Sequence, residues 1–179
     1  HFIFVSNWMY DMFIKFVQTN HQLIQEKKHV IYNCVGEDFE KLHYKPELEK
    51  KYDFITIRNI LDKSKYGIDI VCKIAKSNPK YSFCVIGKGN YFRFNEKPKN
   101  LIWIDKHLTH EEIIDFLNKS RCALMPTRAD AQGVMACEMA TFGIPLITSN
   151  IDICKEIFSD FDNVAYIDND QAEINIEPI

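Results

Sequence analysis

Short apolar runs recur along the chain, and each has the length of a strand. They are rich in β-branched and aromatic side chains, and most are apolar almost without interruption rather than alternating. Near-continuous apolar strands are typical of a sheet that is covered on both faces. The runs occupy residues 2–5, 29–32, 54–58, 81–86, 101–104, 122–125, 145–148 and 164–167.

Stretches of helical periodicity separate most of these runs. The spacing predicts a helix over residues 69–77 and another over residues 133–142, which Gly143 closes. Thr109 and Glu112 have the spacing of a capping box at the start of a further helix. Strands that alternate with helices predict an α/β fold, with a Rossmann-like parallel sheet and helices on both faces. Such sheets bind ligands beyond the carboxyl ends of their strands.

The beginning of the chain differs from the rest. A strand is followed by one helical segment over residues 11–28, and the run at 29–33 is predicted to enter the main sheet. We interpret residues 1–30 as the remnant of a preceding domain with its connection. Residues 31–179 are then one further domain that is trimmed at its end, and residues 41–51 form a charged connector within it.

The composition is that of an ordinary globular protein, with 46% apolar and 26% charged residues. A net charge of -3 with scattered lysines lacks the basic footprint of a nucleic-acid-binding protein. The six cysteines are spread singly without metal-ligand spacing, and we interpret them as reduced core thiols. Reduced thiols favour a cytoplasmic location, and attachment of the full-length protein to the inner membrane surface stays open.

Positive side chains follow a predicted central strand. Arg58 ends this strand, and Lys65 precedes the next helix. A buried guanidinium is costly unless it meets an anion, and together with an ammonium it can hold a diphosphate. From spacing alone, a surface salt-bridge pair is the alternative. Gly87 and Gly89 follow the next strand, where they either let a nucleotide approach the backbone or form a plain tight turn.

Two carboxylates flank a glycine near the start of the helix at 133–142. Asp130 lies in the preceding loop and Glu138 inside the helix, a spacing that can bring both to one cleft. Gly133, Val134 and Met135 would supply the N–H groups of the helix N-terminus, which suits a phosphate. The combination predicts a ligand that is both anionic and rich in hydroxyl groups. The alternative makes Asp130 a favourable helix-terminal charge and Glu138 an ordinary helical residue.

The segment from 126 to 149 resembles the donor-binding half of GT-B glycosyltransferases. The similar enzymes are the retaining family 4 (group 1) type, which includes sucrose and glycogen synthases. Arg58 with the segment 65–69 resembles the family's Arg and Lys-Gly-x-Asp pattern, with Tyr66 inserted, and the insertion leaves Lys63 as an alternative to Lys65. The family's second motif has Glu at both ends, whereas Asp130 stands at the first position here.

The resemblance implies the donor-binding domain of an enzyme that moves a hexose from a UDP- or GDP-linked sugar to a glycan or glycolipid acceptor. Arg58 and Lys65 would hold the diphosphate, Asp130 would lie beside the sugar and Glu138 would bind the ribose. The acceptor would bind through the missing N-terminal domain, so this chain alone is not expected to transfer sugar, and no metal or further cofactor is expected. Nucleotide contacts are predicted at Gly87, Gly89, Ile104, Gln132, Gly133, Val134, Met135 and Glu138.

Other functions stay open from the sequence alone. One is a non-catalytic module that binds a nucleotide or sugar phosphate, and another is a nucleotide-sugar epimerase of the same fold. A glycosidase that uses the two carboxylates fits less well, because it gives no role to Arg58 and Lys65. The sequence does not specify the base, the sugar or the acceptor.

Overall fold

The computed structural model describes residues 1–61, 65–171 and 173–178, and a parallel sheet forms its centre. The strands are β1 (Phe2–Phe4), β2 (Lys28–Val30), β3 (Tyr52–Ile57), β4 (Phe83–Ile86), β5 (Leu101–Ile104), β6 (Ser120–Met125), β7 (Leu146–Ser149) and β8 (Val164–Ile167). The last six pair in the order β5-β4-β3-β6-β7-β8, and every pair is parallel. β1 and β2 form a separate parallel pair.

Helices connect the strands. They are α1 (Asn7–Phe16), α2 (His21–Lys27), α3 (Glu37–Lys41), α4 (Ile68–Ser77), α5 (Tyr91–Phe94), α6 (His110–Asn118), α7 (Val134–Phe142) and α8 (Asp152–Phe158). The capping box predicted at Thr109 is present, with reciprocal hydrogen bonds between Thr109 and Glu112. No helix in the described ranges is long and apolar enough to cross a lipid bilayer.

Hydrophobic layers cover both faces of the sheet, which confirms the predicted fold class. Ile55 and Ile57 of β3 belong to a core cluster with residues of α6, α7 and α8. The neighbouring Phe54, which precedes Ile55, belongs to a second cluster with α4 and with Ile174 near the end of the chain. This alternation follows from the two-residue side-chain period of a strand.

The strand order reverses between β3 and β6. From β3 the chain proceeds outward through β4 and β5, whereas from β6 it proceeds in the other direction through β7 and β8. The connections therefore leave in opposite directions and open a crevice at the carboxyl ends of these two central strands.

The predicted helix over residues 11–28 is wrong in its extent. The chain forms α1 and α2 instead, because Val17 takes an extended conformation and the Asn20 side chain accepts a hydrogen bond from Leu23 N (3.0 Å) to begin a new helix. The run at 29–33 does not enter the main sheet either. In the described residues β2 pairs only with β1.

Glu156 of α8 attaches the first helix to the main domain. Its carboxylate accepts hydrogen bonds from the backbone N–H groups of Asn7 (2.7 Å) and Trp8 (2.8 Å) and from Tyr32 Oη (2.7 Å). Burial raises the pKa of Glu156, but these hydrogen bonds outweigh burial and the net pKa lies below 4.5. A carboxylate at the N-terminus of a helix also interacts favourably with the helix dipole.

The interpretation of the cysteines as core thiols is right for five residues and wrong for Cys34, which is exposed. Burial raises the pKa of Cys72 and Cys84 to about 12 and that of Cys137 to about 11. These three thiols therefore stay protonated at neutral pH, and protonated thiols are poor nucleophiles.

Candidate functional site

A cavity of about 390 Å³ lies at the carboxyl ends of the central strands. Residues at or just beyond the ends of four strands line it: Arg58 after β3, Gly87 after β4, Thr127 after β6 and Thr148 in β7. The N-terminal turn of α7 and the side chains of α8 close its other sides. This is the position where open parallel sheets bind ligands.

Arg58 reaches the cavity with incomplete hydrogen bonding. Its Nη1 donates to the carbonyls of Pro126 (2.6 Å) and Tyr66. Its Nη2 contacts the sulfur of Met125 at 3.9 Å. Its Nε is buried and has no hydrogen-bond partner within the described residues. A buried donor without a partner is costly, so the geometry leaves at least one position for an acceptor from a ligand.

The charge of Arg58 is also uncompensated by direct contact. Burial lowers its pKa from 12.5 to about 10, and the negative charge of Asp130 offsets part of this effect. Arg58 forms none of the ion pairs found in the described part of the chain. Arginine remains charged at neutral pH, so the cavity holds a positive charge that has lost much of its water.

Lys65 does not line the cavity, but both Lys65 and Arg58 lie close to the ring of Tyr66. The Lys65 ammonium lies 5.1 Å from the centre of the Tyr66 ring, and the Arg58 guanidinium carbon lies 5.6 Å from it. Tyr66 itself is part of the cavity wall. The Lys65 side chain is exposed, so it can change position at low cost, whereas Lys63 lies outside the described residues.

Asp130 also lines the cavity, and its negative charge offsets part of the lowering of the Arg58 pKa by burial. Its Oδ1 accepts a hydrogen bond from Ala131 N at 2.8 Å, and its Oδ2 lies 3.6 Å from the point where a Cβ of Gly133 would stand. Gly133 has a φ of +75° at the N-cap of α7, and no side chain caps this helix. Val134 and Met135, the first residues of α7, line the cavity, and their N–H groups have no partner within the helix.

Glu138 lies one turn further along α7 and does not line the cavity. It is 6% exposed, and its Oε1 accepts a hydrogen bond from Gly36 N at 3.2 Å. The eight-residue spacing therefore places only Asp130 in the cavity wall. Glu138 instead lies under the segment that leads from β2 into the main domain.

The glycines after β4 are required by the contact between two loops. A Cβ on Gly87 would lie 1.8 Å from the carbonyl oxygen of Arg58, and one on Gly89 would lie 1.9 Å from that of Ile60. Ile60 N also donates to Lys88 O at 2.8 Å. Close backbone packing explains both glycines, and only Gly87 borders the cavity.

Gln132 and Ile104 have structural contacts at the edge of the site. The Gln132 amide forms two hydrogen bonds with the backbone of Asn33, accepting from its N–H (2.6 Å) and donating to its carbonyl (2.9 Å). The carbonyl of Ile104 accepts from Gly87 N at 3.1 Å, and Ile104 does not line the cavity.

Two groups of cavity residues were not among the predicted contacts. Lys106, His107 and Leu108 come from the loop after β5 and line the cavity in place of Ile104. This loop follows a predicted strand, where such sheets bind ligands, but the predicted contacts named only Ile104, the last residue of that strand. The apolar wall contains Ile153 and Phe158 of α8, a helix too short to stand out in the sequence pattern.

The cavity can hold a negatively charged ligand with an apolar part. Among the described residues that line it, Arg58 and Lys106 are positive and Asp130 is the one carboxylate, so positive charge prevails there. Leu108, Ile113 and other apolar side chains form the remaining wall. Within residues 1–61, 65–171 and 173–178, no cluster of three or more His, Cys, Asp or Glu side chains could hold a metal ion.

The fold is an α/β domain with a cavity at the reversal of its strand order. Residues 38–175 match the family described as "Glycosyl transferases group 1", and the chain belongs to this family. It is 30% identical over 146 residues to the O-antigen biosynthesis glycosyltransferase WclY of Escherichia coli, which covers 74% of this chain and 40% of that protein. The chain thus spans about two fifths of the length of this curated relative.

Solved structures with a similar fold include TarM, with a TM-score of 0.68, 14% identity and coverage of 95% of this chain and 34% of that chain. The pneumococcal O-GlcNAc transferase GtfA, in complex with UDP and GlcNAc, has a TM-score of 0.58 and 17% identity and covers 84% of this chain and 30% of that chain. At these identities the likeness concerns the fold.

Proposed function

We propose that this chain is the donor-binding domain of a retaining glycosyltransferase that uses a nucleoside-diphosphate hexose. The observation that carries the proposal is Arg58, a desolvated cation in the cavity whose Nε has no hydrogen-bond partner in the described residues. An acceptor oxygen of a diphosphate would satisfy this donor and compensate the charge.

The proposed chemistry is stabilisation of the leaving group. Arg58, Val134 and Met135 all line the cavity, so the guanidinium and the N–H groups that begin α7 would both meet a diphosphate bound there. Negative charge grows on the diphosphate as its bond to the sugar breaks, and donors fixed in place beforehand stabilise that charge. Lys65 would join from the rim by leaving its contact with the Tyr66 ring.

The two carboxylates would serve the sugar end and the ribose end of the donor. Asp130 lines the cavity with its Oδ2 near Gly133, so it would offer an acceptor for sugar hydroxyl groups beside the proposed diphosphate site. Glu138 has one oxygen engaged by Gly36, so it would bind ribose hydroxyls through its second oxygen. Both roles rest on the resemblance of the segment from Asp130 to Glu138 to the family's motif.

For the full-length protein we propose transfer to a glycan or lipid-linked saccharide. This follows the family membership and the name of the relative in O-antigen biosynthesis. UDP is the first nucleotide to test, because the related structure of GtfA was obtained with UDP. Retention of the anomeric configuration is tested by NMR of the product made by the full-length protein, where an inverted anomer would contradict it.

The donor site is tested by calorimetric titration of the chain with UDP, GDP and ADP. We expect one of them to bind with 1:1 stoichiometry, and we expect Arg58→Ala to abolish that binding. Arg93→Ala is the matched control, because Arg93 is exposed on α5 and lies outside the cavity. Absence of binding by a folded sample, or equal binding by the two variants, would contradict the proposed function.

A further inference from the structure

The loop that carries Asp130 is tied to the beginning of the chain. We call residues 130–133 the donor loop. Ser6 is fully buried, and its Oγ donates a hydrogen bond to the carbonyl of Ala131 at 2.8 Å, although the two residues are 125 positions apart. A hydrogen bond from a buried side chain to such a distant segment holds the two segments together.

Ser6 contacts the donor loop at a residue that does not line the cavity. Ala131 is the one residue between 130 and 136 that does not line the cavity. Its carbonyl accepts from Ser6, and its N–H donates to Asp130 Oδ1 at 2.8 Å. The peptide groups on both sides of Ala131 are thereby fixed, and with them the direction of the Asp130 carboxylate.

Two further ties join the same parts of the molecule. Asn33 bonds the Gln132 amide through both its N–H and its carbonyl, and Gly36 N–H bonds Glu138. The donor loop and α7 are thus held at several points by the segment before β3. Loss of the bond from Ser6 would loosen Ala131 in particular, because the other ties lie on later residues.

We propose that Ser6 is a positioning residue for the donor loop. This inference rests on the proposed function, since it concerns the same cavity. The Ser6 hydroxyl orients Asp130 and the N–H groups that begin α7 by holding the Ala131 carbonyl. The segment that leads into the domain therefore sets the affinity for the diphosphate without touching the ligand.

Ser6 also makes a second, purely structural contact, and the test must distinguish its effect from that of the bond to Ala131. Its Oγ also accepts from Met9 N at 3.1 Å and so caps α1. Asn20 provides the matched control, because its side chain caps α2 by accepting from Leu23 N and has no contact with the donor loop. Ser6→Ala and Asn20→Ala each remove one cap, but only the former frees Ala131.

The test is hydrogen–deuterium exchange of the backbone amides, together with titration by UDP, GDP and ADP. In Ser6→Ala we expect exchange at the Ala131 N–H to rise roughly three- to tenfold and the nucleotide Kd to rise by a similar factor. Asn20→Ala should leave both unchanged, and Ser6→Thr, which keeps the hydroxyl, should restore both. Ser6→Cys, which keeps the volume but donates weakly, serves the same comparison if Ser6→Ala does not fold.

Unchanged exchange at Ala131 in Ser6→Ala, or an equal rise in Asn20→Ala, would overturn the inference. Faster exchange with an unchanged nucleotide Kd would also overturn it. Absence of nucleotide binding by the wild-type chain would count against the proposed function. The exchange data would in that case still decide whether Ser6 fixes the donor loop.

Discussion

Replacement of Arg58 by Met should separate function from stability. Met is unbranched, fills a similar volume and carries no charge. The change removes the buried cation and its two hydrogen bonds to the carbonyls of Tyr66 and Pro126. We expect the folded state without ligand to tolerate it, whereas binding of a nucleoside diphosphate should be lost or greatly weakened.

The expected change in the free energy of unfolding of Arg58→Met is the difference between two opposing effects. A fall in the pKa of Arg58 from 12.5 to about 10 corresponds to about 3 kcal/mol against the charged form in the folded state. Partial exposure of the side chain to solvent reduces this figure. The two lost hydrogen bonds are worth about 0.5–1.5 kcal/mol each. The effects nearly cancel, so the free energy of unfolding should change by no more than about 1 kcal/mol.

Ligand binding has no such compensation. A hydrogen bond to a charged group contributes about 1.5–3 kcal/mol, which corresponds to a roughly 10- to 150-fold weaker Kd. Urea unfolding and calorimetric titration of Arg58→Met, with Arg93→Met as the surface control, measure both quantities. The reasoning is refuted if Arg58→Met destabilises the chain by about 3 kcal/mol or more, or binds nucleotide as well as Arg93→Met.

Three further predictions concern the frame around the site. Glu156→Gln should lower the free energy of unfolding by about 1–2 kcal/mol. Burial raises the pKa of Glu156, but its hydrogen bonds hold the pKa below 4.5. The extra stability of the wild type over Glu156→Gln should therefore be complete above about pH 4.5 and shrink as the pH falls. Unfolding free energies of the two proteins that change in parallel with pH would argue against this role of Glu156. Alkylation at pH 8 should label Cys34 alone in the native chain and all six cysteines after denaturation, and a second native label would contradict the burial. Gly87→Ala should destabilise by about 3 kcal/mol or more in urea unfolding, because its Cβ would meet the Arg58 carbonyl at 1.8 Å, and a stable variant would disprove that contact.

The main sheet was readable from the sequence because its strands are buried on both faces. The runs at 101–104 and 164–167 coincide with β5 and β8, and the run at 145–148 lies one residue from β7. Helix α4 begins one residue before its predicted start. Burial on both faces makes the apolar signal continuous, so local pattern and final structure agree there.

The beginning of the chain was less predictable. The periodicity over 11–28 suits one helix. The polar stretch that ends at Asn20 nevertheless allows an N-cap there, and a second helix, α2, begins after this cap. The run at 29–33 has the composition of a strand, but composition does not determine which strand it pairs with. Its pairing with β1 depends on contacts between residues far apart in sequence.

The candidate site was predictable where a strand end decides the position. Arg58, Gly87 and Asp130 follow strands and lie at the cavity. The contacts of Glu138 and Gln132 with Gly36 and Asn33 were not predictable, because these partners are about 100 residues away and leave no local signal. Such pairs emerge only when the fold brings the segments together.

The side-chain N–H of Arg58 offers the most direct test of the anion site. Its signal in a ¹H–¹⁵N NMR spectrum can be assigned by its disappearance in Arg58→Met. Because Nε has no partner in the described residues, we predict that a nucleoside diphosphate will shift this signal strongly and slow its exchange with water, whereas the nucleoside alone will not. An unchanged Arg58 Nε–H signal at saturating nucleoside diphosphate would contradict the account.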